Sequence, residues 1–285
     1  MLLHLSDLHF GTEHSLITDA LTQMCNMLPL EAIAISGDLT QRARRIQFQA
    51  FYDFFDSLGV PWIVVPGNHD IPLFHLPRRM MNPFGHYEQI FGATETTLET
   101  EHFYLVGVNS VSPKHHTQGR ITHKQITETG ERLLLGKTGK KRIILSHQPF
   151  RVLRAYQKKD IPSHAAEAVQ HWAHCGLDAL LHGHFHVPVV LPLKEYFGLH
   201  KEVLDVQAGT AVSHRLRYNV PNSVNIIHTD LQVDRYDFNL ASNQFERLGQ
   251  LWPNVDLNCQ HQHRNIDKNA YKKTANNAVI DKTNP

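Results

Sequence analysis

Cysteine is scarce in this chain: Cys25, Cys175 and Cys259 are odd in number, far apart and form no C-x-x-C pair. That argues against a disulfide framework and a cysteine-based zinc site, and it fits a reducing compartment. A run of about 18 apolar residues is also missing, so no helix is expected to cross a membrane. Met1-Leu2-Leu3-His4 reaches a polar residue too soon for the apolar core of ~7–15 residues that a signal peptide requires. Together these absences set the expectation of a cytoplasmic protein. Charge of one sign is lacking as well. The 28 basic and 27 acidic residues leave a formal net charge of +1. Such a balance supplies no global field to draw in nucleic acid or an anionic membrane, and leaves only a local basic patch open.

What is present is an ordinary apolar content and an excess of histidine. Hydrophobic residues make up 41% of 285 positions, enough for a large core and against disorder throughout. We read one domain over residues 1–252, because α/β folds of this size are often single. From 253 onward the chain is rich in Asn, Gln, Lys and His, and 253–285 is expected to be a disordered tail. The 22 histidines are the one anomaly of composition, and histidine is the commonest transition-metal ligand.

Short apolar runs predict strands at 2–5, 32–35, 62–65, 103–108, 142–145 and 179–181. Helical spacing appears over 15–27, 46–58, 122–135 and 165–174, with a short helix near Tyr87 and a proline-punctuated loop at 72–83. Phe48, Phe51, Phe54, Phe55 and Leu58 recur at intervals of one helix face, which reads as a face packed on a sheet. After residue 181 the pattern changes. Strands at 187–191, 202–206, 223–228 and 231–238 follow one another without helices, so antiparallel pairing is expected there. Runs of βα units followed by a cluster of strands imply sheets sandwiched between helices.

The unusual polar residues fall just past the ends of the apolar strands. Asp7 and His9 follow the first, Asp38 the second, and Asn68, His69 and Asp70 the third. His147 follows the strand ending at 145, and His182, His184 and His186 follow the one ending at 181. In open α/β sheets that edge is where ligand sites are built, so these five groups are expected to converge. Carboxylate, amide and imidazole donors suit manganese, iron or zinc. Two such cations about 3.5–4 Å apart polarise both the attacking and the leaving oxygen of a phosphoryl transfer, and they lower the pKa of a shared water. Cations that close repel, so a shared carboxylate and a shared hydroxide are the natural glue. Gly37, Gly67 and Gly183 precede Asp38, Asn68 and His184 and are expected to permit sharp turns that let the backbone come close to a ligand. His182 alternates with His184 on a strand end and is left out of the ligand set.

In order, Asp7-x-His9, Gly37-Asp38, Gly67-Asn68-His69-Asp70, His147 and Gly183-His184-x-His186 resemble the signature blocks of the metallophosphoesterase family that includes calcineurin-type phosphatases. The resemblance spans Asp7 to His186. It implies an α/β (α+β) fold of two mixed β-sheets in a sandwich flanked by helices. It also implies two divalent metal ions, with Asp7, His9, Asp38 and His186 as ligands of one. Asp38, Asn68, His147 and His184 are implied as ligands of the other, so that Asp38 is shared. His69 resembles the histidine that contacts the phosphate or protonates the leaving group, and Asp70 its orienting carboxylate. Gln148 departs from the family, where a second histidine often follows His147, and the effect is expected in the outer shell.

Arginine grips phosphate as a bidentate fork, so Arg42 and Arg215 are expected substrate contacts. The loops 71–83 and 150–163 are expected to form a lid. The wording His4-Leu5-Ser6-Asp7-Leu8-His9-Phe10-Gly11, with Gly37-Asp38-Leu39-Thr40, resembles bacterial cyclic-nucleotide phosphodiesterase-type members. That implies hydrolysis of a small phosphorylated substrate, a phosphodiester such as cAMP. Three alternatives stay open. Pyrophosphate hydrolysis of a nucleotide-linked lipid, as in UDP-diacylglucosamine pyrophosphatases, would bring peripheral membrane contact and an apolar groove along Leu73, Phe74, Leu76, Met80 and Met81. A nuclease of the same superfamily is disfavoured by the balanced charge. A catalytically silent scaffold is disfavoured because every expected ligand position holds a competent residue.

Overall fold

The computed structural model describes residues 1–251, so the tail expected over 253–285 lies outside the described residues. The first half alternates strand and helix: β1 (Leu2–Leu5), α1 (Ser15–Met27), β2 (Ala32–Ser36), α2 (Arg45–Ser57) and β3 (Trp62–Val65). Two short helices, α3 (Leu76–Met81) and α4 (Gly85–Phe91), and the short strand β4 (Thr97–Glu99) come next. Alternation resumes with β5 (Phe103–Gly107), α5 (His123–Leu134), β6 (Lys141–Leu145), a 3₁₀ turn (Ala155–Asp160), α6 (Ala165–His174) and β7 (Ala179–His182). The rest is β8 (Val189–Pro192), the single turn α7 (Lys194–Phe197), β9 (Leu204–Gln207), β10 (Ser223–Ile227), β11 (Val233–Asn239) and β12 (Gln244–Leu251).

These strands make two six-stranded sheets, ordered β12-β11-β10-β1-β2-β3 and β4-β5-β6-β7-β9-β8. In the first, β1, β2 and β3 are parallel while β10, β11 and β12 are antiparallel. In the second, β5, β6, β7 and β9 are parallel, with antiparallel β4 and β8 at the edges. Both sheets are mixed, as expected. They pack face to face through Leu2, Ala32, Ala34, Ile63 and Val65 on one side and Phe103, Leu105, Ile143, Leu145, Ala179 and Leu181 on the other. The alternate residues of β5, β6 and β7, among them Val106, Ile144 and Leu180, face Ile126, Leu133, Ala168, Val169 and Trp172 of α5 and α6. Burial on both faces is why these strands read as unbroken apolar runs. α5 starts at a reciprocal cap: the Gln125 amide donates to Thr122 Oγ1 at 3.2 Å, and the Thr122 amide to Gln125 Oε1 at 3.0 Å.

Several sequence expectations need correction. The loop expected at 72–83 contains α3, because Pro77 sits in the first turn of that helix, where a missing N–H costs nothing. His75 caps it, accepting from the Arg78 amide at 3.2 Å. Antiparallel pairing holds within the strands after residue 181, β8 with β9 and β10 with β11, while β9 also pairs parallel with β7. α7 intervenes between β8 and β9, where no helix was expected, and was missed because it is one turn long. The edge strands β4 and β12 were also missed. Both are mostly exposed, so they lack the apolar run that marks the others.

The phenylalanine stripe of α2 does pack inward. Phe51 is fully buried against Phe10, Phe55, Trp62 and Phe91, with ring centroids 4.5–6.2 Å away. Emptying that position leaves a cavity among rigid rings that cannot collapse. Phe51→Ala is expected to destabilise the fold by ~3–5 kcal/mol, seen as a lowered urea midpoint with an unchanged slope. A midpoint within error of the parent would refute this view of the stripe.

Candidate metal centre

The parallel strands of both sheets release their loops at one end of the sandwich, and strand-like pairing continues past the strands. Amides of Asp7 and His9 donate to the carbonyls of Gly37 and Asp38 at 3.1 and 2.9 Å. Gly183 N donates to His147 O at 3.2 Å in the other sheet. Two contacts fasten the sheets together here. The His147 Nδ1–H donates to the Ser36 carbonyl at 2.9 Å, and the His184 amide donates to Asp7 Oδ2 at 3.0 Å.

Asp7, His9, Asp38, Asn68, His147, His184 and His186 meet at this seam, and all seven are buried. His186 Nε2 lies 3.3 Å and His9 Nε2 3.8 Å from Asp7 Oδ1. His9 Nε2 is also 3.8 Å from Asp38 Oδ2, while His147 Nε2 is 3.4 Å from Asp38 Oδ1. Asn68 Oδ1 sits between His147 Nε2 at 3.0 Å and His184 Nδ1 at 3.1 Å. Two overlapping groups therefore place donor atoms within 4.8 Å of one another: Asp7, His9 and His186, and Asp7, Asp38 and His147. Asp7 is common to both groups, and Asp38 lies between His9 and His147.

The donors suit divalent cations. Asp7 Oδ1 is buried and accepts no hydrogen bond, although it faces two imidazoles; an orphaned buried carboxylate oxygen costs free energy that a cation would offset. Burial holds His9 well below the usual histidine range and His186 down to about 3, and it lowers His184 too. Neutral imidazoles keep a lone pair for a metal. His147 behaves differently: burial lowers it, but Asp38 and Asp7 outweigh burial and raise it. Desolvation would raise Asp38, yet His147, His69 and His9 hold it well below the carboxylate range. The carboxylates of Asp38 and Asp7 thus favour a proton on His147.

Backbone strain concentrates on the same residues. Asp7, His9, Asp38, His184 and His186 all have left-handed φ, between 49° and 72°. Side chains there are costly and persist where surrounding structure dictates them. The glycines act differently from the expected sharp turns at two positions. Gly67 and Gly183 have no positive φ; instead, a Cβ on Gly67 would collide with Asp38 N and Oδ1, and one on Gly183 with Ser6 Oγ and Asp7 Oδ2. Close approach, not turn geometry, demands glycine there.

The remaining expected residues divide. His69 stands at the rim, its amide donating to Asp38 Oδ1 at 2.8 Å. Its ring does not pair with Asp70, which corrects the expected dyad. Asp70 spends both oxygens on the amides of Gly67, Leu39 and Thr40 and the Thr40 hydroxyl, at 2.8–3.0 Å. It locks the loop after β2 to the loop after β3 and so positions Asp38 and Asn68. The His69 Nδ1–H donates instead to Gln41 O at 3.2 Å, and His69 Nε2 lies 3.4 Å from Arg215 Nη1. Arg215 also donates to Gln41 Oε1 at 2.9 Å. Gln41, Thr210 (2.6 Å from His186 Nδ1) and Asp160 (3.9 Å from His184 Nε2) carried no signal in the sequence. Gln148 is bonded to the Ser110 hydroxyl, outside the ligand cluster.

A cleft of about 450 Å³ opens over the cluster, lined by Arg42, Arg215, Arg217, Lys159, Tyr156 and Tyr218 among others. Arg42 stacks on Phe74 at 5.2 Å. Both expected lid segments reach the cleft, one through Leu73 and the other through Tyr156, Lys159 and Asp160. The expected apolar groove is not closed: Leu73 lines the cleft, but Phe74, Leu76, Met80 and Met81 stand exposed. Among the described residues no helix is long and apolar enough to cross a membrane.

Residues 1–188 match the model of the calcineurin-like phosphoesterases, and the chain belongs to that family. Its members typically bind two divalent metals, and the seam contains candidate groups for them. Among solved structures the chain resembles a purple acid phosphatase from yellow lupin (Lupinus luteus) seeds, with a TM-score of 0.61 and 11% identity. That match covers 86% of this chain and 52% of the lupin chain, so the chain spans about half the length of that relative. It also resembles a dimetal phosphatase from Danio rerio, with a TM-score of 0.58, 13% identity, and coverage of 90% and 98% of the two chains. Both likenesses concern the fold. Among curated proteins no sequence matches significantly.

Metal binding at this seam competes with the proton that Asp38 favours on His147. Because that proton binds more tightly than the ordinary 6.5 implies, apparent manganese affinity is expected to fall as pH drops through the raised value and to level off above it. Manganese titrations across pH test this; a flat profile would refute it. Gly67→Ala is expected to weaken metal retention by displacing Asp38, read by metal analysis of the folded variant. Full retention would show that the loop can yield.

Proposed function

We propose that the protein is a metal-dependent phosphodiesterase acting on a small substrate, with a cyclic nucleotide such as cAMP as the leading candidate. The observation that carries this reading is the convergence of seven oxygen and nitrogen donors from five strand ends, with Asp7 Oδ1 left unpaired among them. Asp7, His9, Asp38 and His186 would hold one divalent ion, and Asp38, Asn68, His147 and His184 the second, manganese, iron or zinc. When bound, the ions supply Lewis acidity and make water a nucleophile near neutral pH.

The chain's own residues then bind and orient the ester. Arg215 and Arg42 present guanidinium groups to phosphate oxygens across the cleft mouth. Arg217 and Lys159 extend the positive wall, and Tyr156 and Tyr218 offer flat apolar faces with hydroxyl tips 3.5 Å apart. His69 handles the proton. The Gln41 carbonyl can only accept, so Nδ1 keeps its hydrogen and Nε2 faces the cleft. When Arg215 turns from His69 to the phosphate, Nε2 is free to carry a proton to the departing oxygen.

One observation favours a second reading, hydrolysis of a pyrophosphate in a nucleotide-linked lipid. The exposed Phe74, Leu76, Met80 and Met81 lie along the segment that brings Leu73 into the cleft, where acyl chains would rest. A silent scaffold would retain no stoichiometric metal, and metal analysis separates it from both.

Purified protein with added manganese is expected to release nitrophenol from bis-p-nitrophenyl phosphate, and a chelator-treated control is not. Failure with metal bound would move the reading to the pyrophosphatase. Asp38→Ala is expected to lose both metal and turnover. His69→Ala is expected to keep its metal and lose ~10²–10⁴-fold in kcat; loss of metal in that variant would place His69 among the ligands instead.

A further inference from the structure

Away from the buried seam, one other group of described residues brings three metal-binding atoms within 4.8 Å: His123, His164 and Glu167. His123 is the first residue of α5, His164 immediately precedes α6, and Glu167 lies in the first turn of α6. His123 Nδ1 is 3.1 Å from Glu167 Oε1, and His164 Nδ1 is 3.5 Å from Glu167 Oε2. The two imidazole centroids are 4.2 Å apart. With metal–nitrogen bonds of about 2.0–2.1 Å, neighbouring donors in a tetrahedral zinc site stand roughly 3.3 Å apart. The observed spacings bracket that edge.

Two details separate this group from an ordinary surface ion pair, which contributes little. First, both oxygens of one carboxylate are addressed by imidazoles from two different elements. Second, His164 adopts φ 62° and ψ 17°, and its side chain makes no hydrogen bond capping α6. The left-handed turn carries the ring toward His123 instead of back over its own helix. Side-chain exposures of 68%, 41% and 54% for His123, His164 and Glu167 leave water free to complete the coordination. Two helix N-termini repel a cation here, and the Glu167 charge opposes that repulsion.

We propose that His123, His164 and Glu167 form a second, surface site for a divalent transition metal such as zinc, independent of the buried centre. Its occupant fastens the start of α6 to the start of α5. The effect reaches the cleft through the chain before α6. Ser163 exchanges backbone hydrogen bonds with Gly119 and Ile121 at 3.3 and 3.2 Å, and Gly119 donates to Asp160 O at 3.4 Å. The same segment carries Tyr156, Lys159 and Asp160 into the cleft wall. Zinc at the surface therefore steadies one wall of the candidate active site without touching it.

The test is equilibrium dialysis of the full chain against a range of zinc concentrations, with zinc counted per chain, for the parent and for H123A/H164A. All three residues are exposed, so the variant is expected to fold. At saturation the variant is expected to hold one equivalent of zinc fewer than the parent, and Glu167→Gln to weaken that equivalent at least tenfold. Histidines elsewhere cancel in the difference, and metal counting does not depend on what the buried centre hydrolyses. Superimposable uptake curves would overturn the site. Hydrogen exchange over 155–164 tests the second half. Zinc is expected to slow it in the parent and not in the variant, and equal exchange with zinc bound would overturn the fastening.

Discussion

Two carboxylates, Asp7 and Asp38, are buried where the two sheets meet, and among the described residues no lysine or arginine pairs with either. Arg215, the nearest guanidinium in the hydrogen-bonding network, reaches His9, His69 and Gln41 instead. Burying a charge without a partner is among the largest single costs a fold can carry. Here the His69 amide donates to Asp38 and the His184 amide to Asp7, the two carboxylates favour a proton on His147, and Asp7 Oδ1 accepts no hydrogen bond. Much of the surrounding structure follows from this arrangement.

The left-handed conformations of Asp7, His9, Asp38, His184 and His186 turn the chain sharply at each strand end, so that consecutive polar side chains share one small volume. The apolar strands behind them, packed on both faces, provide the rigidity that holds such strain. Asp70 contributes in another way. It sits on four donors from two loops and makes the loop carrying Asp38 and the loop carrying Asn68 one unit. Gly67 and Gly183 let those loops come within contact of the carboxylates.

The cleft above is built largely from connecting segments. Its arginines and tyrosines come from the segment after β2, the 3₁₀ turn and the connection between β9 and β10. Arg42 lies on Phe74, Arg154 and Tyr156 meet Tyr218, and Arg215 is tied to Gln41 and His69. The seam contains candidate groups for the two divalent metals that members of the family typically bind. The cleft is where substrate preference would be set, and its mixture of four cations and two tyrosines is what the proposed ester must match.

The helix spacing of α1, α2, α5 and α6 and the apolar runs of β1, β3 and β7 were legible directly, because one-face periodicity and burial on both sides are local properties of a chain. So was the set of polar residues beyond the strand ends, since each follows its strand at once. Short or exposed elements were not: α3 hid behind a proline that in fact begins it, and β4 and β12 are edge strands that bury little. The role of Asp70 was misread for a related reason. Adjacency to His69 suggested a pair, but the chain turns between them and sends the two side chains to different partners. By itself, then, the sequence determined which residues are available as donors and which strands carry them. Only the tertiary structure decided which donors face one another, that Gln41 rather than Asp70 holds His69, and that His123 and His164 meet over one carboxylate. Those contacts join residues far apart in the chain, and their distances depend on sheet registry and loop direction, which no local pattern encodes.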